Sequence, residues 1–456
     1  MNRRRLLQGL ALLPLAARSA PAPEAPAVRD ALRRASAAFR ALAVRGGHVW
    51  KVRADGSRRE GEGLCTPTQV WVQPPGTPAV GSIFLEIFRA TGDPQDWQAA
   101  RAAAEALAWG QCPCGGWGYA IEFDARQGRY RHRGALAEVS AKDAAKRRDE
   151  GVLDDDTTQS CLRFLGEFVH EADRRGEPPP PSVREAFAHG VSALLAAQRP
   201  NGAWPQVFSP RWPDPPLPAD LRARIPADWP RERNVKDYHV FHTLNDNTHA
   251  DGLRTLLHLH RLTGRADCLA AARRAGDFLL LAQLPEPQPG WAQQYNFDME
   301  PAWARRFEPP SVSAGESADV IRVLRELHAA TGDARYLAPI PAALAWLRRS
   351  AIAPGRWARF YELGTNRPLY FTREYGLTHD DGDLPTHYSF QGSYGIPGLE
   401  KDEPPARTRT RAEWNGAAKR ALAELDEAGR WVKDGWVESA EFIQNAGALA
   451  GWLRGG

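Results

Sequence analysis

Residues 256–291, LLHLHRLTGRADCLAAARRAGDFLLLAQLPEPQPGW, carry the pattern that decides the fold. Apolar residues recur at helical spacing up to Thr263, Gly264 follows, and a second Ala/Leu-rich run leads to Gly290 and Trp291. An apolar period of 3.6 predicts an amphipathic helix, and a glycine just past its end supplies the left-handed residue that closes it. The stretch therefore reads as a helical hairpin with a Thr-Gly turn and a loop ending in tryptophan. The same order recurs in residues 84–117, with Thr91-Gly92 and Trp117, and in residues 324–357, with Thr331-Gly332 and Trp357. Weaker copies fill the rest. Residues 164–204 join their helices by GEPPPP and end NGAW, a helix near 29–44 leads to Trp50, and a helix near 413–427 leads to Trp431. A last helix is expected over about 439–453. Internal repeats of this length mean stacked supersecondary units. Six of them predict an all-α fold, an (α/α) toroid of helical hairpins with long irregular loops at one rim, spanning residues 21–456 as one catalytic domain. The fifth unit lacks an obvious inner helix, so the ring is closed or nearly closed.

Bulk composition sets few other limits. The 456 residues, 43% hydrophobic and 25% charged, are ordinary for a chain with a large core, and the net charge of +4 gives no reason to expect a nucleic-acid partner. Arginine far outnumbers lysine. Its planar fork suits carboxylates, although a GC-rich genome produces the same bias. The opening MNRRRLLQGLALLPLAARSA reads as a twin-arginine-like export signal over residues 1–20, too short to anchor in a bilayer, which predicts a periplasmic or secreted protein. Nothing later reads as a membrane span. Five cysteines leave at least one unpaired, with one disulfide or buried thiols as the alternatives, and none has zinc-site spacing.

In a ring of hairpins, the loop after each outer helix feeds the start of the next inner helix, so these loops share one end. The starts here include DDDTTQ (154–159), NDNTHAD (245–251) and SAGES (313–317). Capping explains single Ser, Thr, Asp or Asn residues at such places. It does not explain three adjacent like charges beside a second Asp-rich start. Asp154, Asp155 and Asp246, with Asn245, are candidate oxygen ligands for a hard cation such as Ca2+, solvated caps being the alternative. The loop GWAQQYNFDMEPAWARRFEPPSVSAGES (290–317) has too little helical period for core and too many Trp, Arg and Gln for a linker. Its Arg305 and Arg306, with Arg359, Arg367 and Arg373 among interleaved aromatics further on, suit the carboxylates of an acidic polysaccharide, or pair with Glu308, Glu362 or Glu374.

These motifs together carry a resemblance. From about residue 70 onward, WVQPPGTPAVGSIFLEIFRATGD, GGWGYAIEFD, NGAWPQ, HTLNDNTHADGLRTLL, the 290–317 loop and ARFYELGTNRPLYF follow one another as in the pectate lyases of polysaccharide lyase family ten. The resemblance implies calcium-assisted β-elimination on 4-linked α-galacturonan (pectate, or polygalacturonate), with an arginine taking the C5 proton. Carried over by position, Arg306 matches the base, with Arg305 as the alternative, and Asp154 or Asp155 and Asp246 match the calcium carboxylates. Arg359 and Arg373 match the grips on substrate carboxylates, and Trp204, Gln206, Trp291 and Tyr361 the groove lining. The chain departs from the pattern at DDDTTQ, at His249, and at THYSF (386–390), which lacks an arginine-rich start. Residues 208–233, rich in Pro and Arg, look like an insertion beside the groove.

Other classes compete. A glycoside hydrolase on the same toroid needs two carboxyl groups, for which Glu316 and Asp246 are the candidates, but it leaves the arginines without a purpose. A non-catalytic uronate-binding protein would keep the groove and lose the chemistry. A terpenoid cyclase would require a DDxxD or DxDD wall, which DDDTTQ fits poorly.

Overall fold

The computed structural model describes residues 23–399 and 409–455, so the expected export signal lies outside the described residues. Thirteen helices occur among them: α1 (Ala25–Arg40), α2 (Thr77–Thr91), α3 (Pro94–Gly110), α4 (Ala141–Lys146), α5 (Thr157–Arg174), α6 (Pro181–Ala196), α7 (Thr248–Thr263), α8 (Ala266–Ala282), α9 (Ala314–Thr331), α10 (Ile340–Arg349), α11 (Ile396–Leu399), α12 (Arg411–Glu424) and α13 (Ser439–Arg454). Helices α13, α2, α5, α7 and α9 pack in succession as an inner ring, and α3, α6, α8 and α10 follow their inner partners on the outside. α12 and α1 flank α13. The fold is the expected α/α toroid. At the inner-ring position between α9 and α13 the described residues supply only the one-turn α11, packed on α9, in keeping with the inner helix missing from the fifth repeat.

Two side-chain devices explain why the repeat is written as it is. Gly92, Gly264 and Gly332 all adopt positive φ (75°, 72° and 70°), and a Cβ on any of them would meet nothing within 4 Å, so the requirement there is conformational alone. The preceding Thr91, Thr263 and Thr331 hydroxyls each donate to the carbonyl four residues back, at 2.8, 2.6 and 2.7 Å. The repeated tryptophan works at the other end. Trp117, Trp204, Trp291, Trp357 and Trp431 donate Nε1–H to the carbonyls of Leu107, Leu194, Leu279, Leu347 and Ala421, at 2.8, 3.0, 2.9, 2.6 and 2.8 Å. Every acceptor lies in the last turn of an outer helix, where carbonyls have no intrahelical donor. The indoles are buried plugs.

This corrects three residues assigned above to the groove. Trp204 and Trp291 have 0% exposure and sit in the hydrophobic core. Tyr361 is 1% exposed; its hydroxyl donates to Ser350 O and accepts from Ala358 N–H, as Tyr295 does with Ala282 O and Ala292 N–H. Trp204→Ala is expected to lower the unfolding free energy by about 3–5 kcal/mol, as for a large side chain deleted from a core. Urea denaturation measures that loss. A groove role would instead leave stability unchanged and raise KM.

Short antiparallel ties fix the rim. Each strand before an inner helix pairs with the strand after its outer helix: Val152 with Val207, Thr243 with Gln294, Ser313 with Phe360, and Trp71 with Ala120. These ties hold the starts of α2, α5, α7 and α9 at one end. All five cysteines are free thiols, four of them buried. Among the described residues no helix is long and apolar enough to cross a membrane.

Candidate active site at the rim

The starts of α5 and α7 are built alike. Leu153-Asp154-Asp155-Asp156-Thr157 and Leu244-Asn245-Asp246-Asn247-Thr248 each make a tight turn, with Asp155 and Asp246 both at φ 48°, and Asp156 and Asn247 at φ 61° and 57°. Asp and Asn tolerate this left-handed region better than most residues, which is why the motif is written with them. The turns bring Asp154, Asp155 and Asp246 together, one oxygen of each within 4.8 Å of the others.

Each carboxylate has one identified neighbour. Tyr119 Oη donates to Asp154 Oδ2 at 2.6 Å, Gln73 Nε2 to Asp155 Oδ2 at 2.8 Å, and Arg305 Nη2 to Asp246 Oδ2 at 3.0 Å. Asp154 Oδ1 is buried with no hydrogen-bond partner. Burial, then the charges of Asp154 and Glu62, push Asp155 up to about 6 against the opposing pull of Arg305. Burial and Asp154 push Asp246 up to about 8, again against Arg305.

Arg305 is committed elsewhere. Its Nε and Nη2 donate to the two oxygens of buried Glu308 at 2.8 and 2.6 Å, and its backbone N–H adds a third bond at 3.0 Å. Burial works against its charge, yet Glu308 and then Asp246 make it hold its proton more tightly than usual. Arg306 faces solvent with its guanidinium 3.5 Å from the centre of the Tyr375 ring, and no carboxylate among the described residues lies in ion-pair range of it.

A polar network continues from Glu308. Its Oε1 accepts from Tyr388 Oη at 3.1 Å, Gln293 Nε2 reaches Tyr388 Oη at 3.0 Å and Glu316 Oε1 at 3.3 Å, and Arg359 Nη2 pairs with Glu316 at 2.8 Å. Burial alone would raise Glu316, but Arg359 and Ser313 hold it below the usual carboxylate range. Held ionised in this way, Glu316 could be only the base of the hydrolase alternative's pair, which leaves Asp246 as its acid and still gives the arginines no purpose. Arg359, 16% exposed at its side chain, lines a cavity of ≈ 420 Å³ with Asp246, Asn247, Gly315, Glu316 and Arg322. One carried-over arginine thus opens onto the same cavity as Asp246 of the acidic trio.

The other two do not converge. Arg373 is exposed and pairs with Asp383 at 3.3 Å. Arg367 is exposed at a hairpin turn whose Asn366 bonds Trp346 of α10. No described contact connects either residue to the trio. Gln206 is buried behind the Asp154 turn, its carbonyl accepting from Leu153 N–H at 2.9 Å, so it supports the turn through its backbone. Residues that the sequence left without roles stand closer, Gln73, Tyr119, Gln293 and Tyr388, together with Glu308, which pairs with Arg305 as one of the expected alternatives. Gln73 and Tyr119 lie in the WVQPPG and GGWGY motifs, and Tyr388 in the THYSF segment marked above only for what it lacks.

The model of the pectic acid lyase family matches residues 111–356, more than half of the chain, and takes in the acidic trio and both adjacent arginines. The chain belongs to the pectic acid lyase family. It is a polysaccharide lyase. Among solved structures, a mutant of the family 10 polysaccharide lyase from Cellvibrio cellulosa in complex with trigalaturonic acid is 20% identical over 70% of this lyase and 98% of its own chain, with a TM-score of 0.46. A D-mannose isomerase is 12% identical over 94% and 97% (TM-score 0.48), and a cellobiose 2-epimerase from Spirochaeta thermophila is 12% identical over 94% and 96% (TM-score 0.47). No curated protein matches this lyase.

Proposed function

We propose that this lyase is an exported, single-domain enzyme that cleaves 4-linked α-galacturonan by β-elimination, with Ca2+ bound at the trio and Arg306 as the base. The observation that carries the reading is the trio itself, with Arg305 paired to Asp246 and Arg306 next to it in the chain. Two ligand oxygens on one Ca2+ at about 2.4 Å can be at most about 4.8 Å apart, so the spacing of Asp154, Asp155 and Asp246 fits such an ion. The orphaned Asp154 Oδ1 and the raised proton affinities of Asp155 and Asp246 describe a negative cluster short of a cation. When bound, Ca2+ supplies positive charge against a substrate carboxylate, which lowers the cost of the enolate-like charge that forms at C5.

The chain's own residues divide the remaining work. Arg359, in the cavity beside Asp246, binds a uronate carboxylate. Arg305 stays a cation, orients Asp246 and satisfies Glu308. Arg306 takes the C5 proton. The C5–H electrons become the C4–C5 double bond, and the glycosidic oxygen at C4 leaves and picks up a proton from solvent. Arginine resists deprotonation, so the transfer requires a guanidinium free of carboxylates, and of the adjacent pair only Arg306 meets that condition.

Incubation with polygalacturonate should produce the ultraviolet absorbance of an unsaturated uronate, lost on chelation and restored by Ca2+. New reducing ends without that absorbance would mean hydrolysis and overturn the reading.

A further inference from the structure

One segment between two of the strand ties is locally rich in cations. Residues 125–150, between the strands Ala120–Glu122 and Gly151–Val152, contain eight Arg and Lys against four Asp and Glu. Several of these cations are matched locally: Arg126 pairs with Asp124, Arg133 with Glu185 and Lys146 with Asp143. Arg129, Arg131 and Arg148 are not so matched. A backbone ladder sets them side by side, with Arg131 N–H donating to Arg148 O at 2.8 Å and Arg148 N–H to Arg129 O at 3.1 Å. Arg211, from the 208–233 insertion, joins them by donating to Ala145 O and Arg147 O at 2.7 and 2.9 Å.

Four guanidiniums thus share two carboxylates, and at long range. Arg148 lies 3.6 Å from Glu150, and Arg131 lies 3.9 Å from Asp149. Glu150 is buried, and Asp149 already accepts from Cys114 N–H at 2.8 Å, so neither reaches out to cover the arginines. Arg129, Arg148 and Arg211 are exposed. This face adjoins the rim. Glu150 is four residues ahead of Asp154, at most about 13 Å of chain at a strand rise of ~3.3 Å per residue. The insertion also places Trp212 against His239, with ring centres 4.4 Å apart, and Tyr238 stands five residues past its end.

We infer that the Arg129–Arg148–Arg211 face is a second binding surface, outside the reaction site, for uronates further along the same polyanionic chain. It rests on the proposed galacturonan specificity. Such a surface concentrates a long acidic chain at the rim and gives a short oligomer nothing to hold, because several exposed charges act together on a polymer.

The test uses Arg129→Gln/Arg148→Gln, which spares the backbone ladder and Arg211's carbonyl bonds. The double variant should raise KM for polygalacturonate about 5–10-fold, as two exposed ion pairs allow, with kcat and all constants for trigalacturonate within about twofold. The difference should vanish at high salt. Electrophoresis through a gel containing polygalacturonate should retard the wild type more than the variant. Equal effects on trimer and polymer, no effect on either, or equal retardation of the wild type by duplex DNA would each overturn the inference. A wild type that is retarded but forms no unsaturated product would refute the lyase reading alone, and the gel comparison would still decide the arginine face.

Discussion

Arg306→Ala should lower kcat on polygalacturonate by about 10²–10⁴-fold, the contribution of a positioned proton acceptor, with KM within about threefold. Arg306→Lys should fall nearly as far, because a point-charge ammonium does not reproduce the planar guanidinium held over the Tyr375 ring. The neighbouring variant separates the two arginines. Arg305→Ala removes the partner of Glu308, which is 1% exposed, and one partner of Asp246. An uncompensated buried carboxylate costs about 3–5 kcal/mol; with Arg305 38% exposed, we expect about 2–3 kcal/mol in urea unfolding. The two variants should therefore differ in kind, Arg306→Ala remaining stable and inactive, Arg305→Ala being destabilised. If Arg305→Ala proved stable and inactive while Arg306→Ala kept its turnover, the two roles would be reversed.

The fold was legible because its two repeated devices use residue types with few substitutes. A left-handed helix end calls for glycine, and a buried helix end with orphan carbonyls calls for a long N–H donor inside an apolar body. The same tryptophans misled the reading of the groove. An indole that plugs a helix and an indole that stacks on a sugar are written identically at Trp204 and Trp291. Their recurrence in phase with Trp117, Trp357 and Trp431 was the available signal, since a residue serving one site has no reason to repeat around the ring. Asp154 and Asp155 were legible because three adjacent like charges at a helix start cost energy that capping does not return, and Asp246 because it lies in a second Asp-rich start at the same rim. Tyr119, Gln73 and Tyr388 were not. They reach the site through strand ties and an irregular segment, and no local pattern records which loops such ties bring together. Arg373 shows the converse limit, since an arginine among aromatics looks the same whether it faces substrate or a surface aspartate such as Asp383.

Calcium affinity should rise steeply with pH, and the trio sets where. With Asp155 pushed up to about 6 and Asp246 to about 8, these two carboxyls of the metal-free site hold two protons below pH 6, one between 6 and 8, and none above. A cation must displace whatever protons remain. Affinity should therefore climb about tenfold per pH unit between 6 and 8, twice as steeply in the logarithm below 6, and level off above 8. Stability of the metal-free protein runs the other way. A carboxyl raised above its unfolded value contributes stability that is complete below about pH 4 and is lost as pH rises through its folded value. Calcium-free protein should thus weaken between pH 4 and 8, and added Ca2+ should restore most at the alkaline end, where it binds tightest. Calorimetric titration in two buffers of different ionisation heat counts the protons released per ion. Asp246→Asn should remove the step between 6 and 8, because its amide has no proton to displace. An affinity independent of pH, with no proton released, would mean that Ca2+ binds elsewhere, since an ion at this site must displace the proton that Asp246 holds below about pH 8.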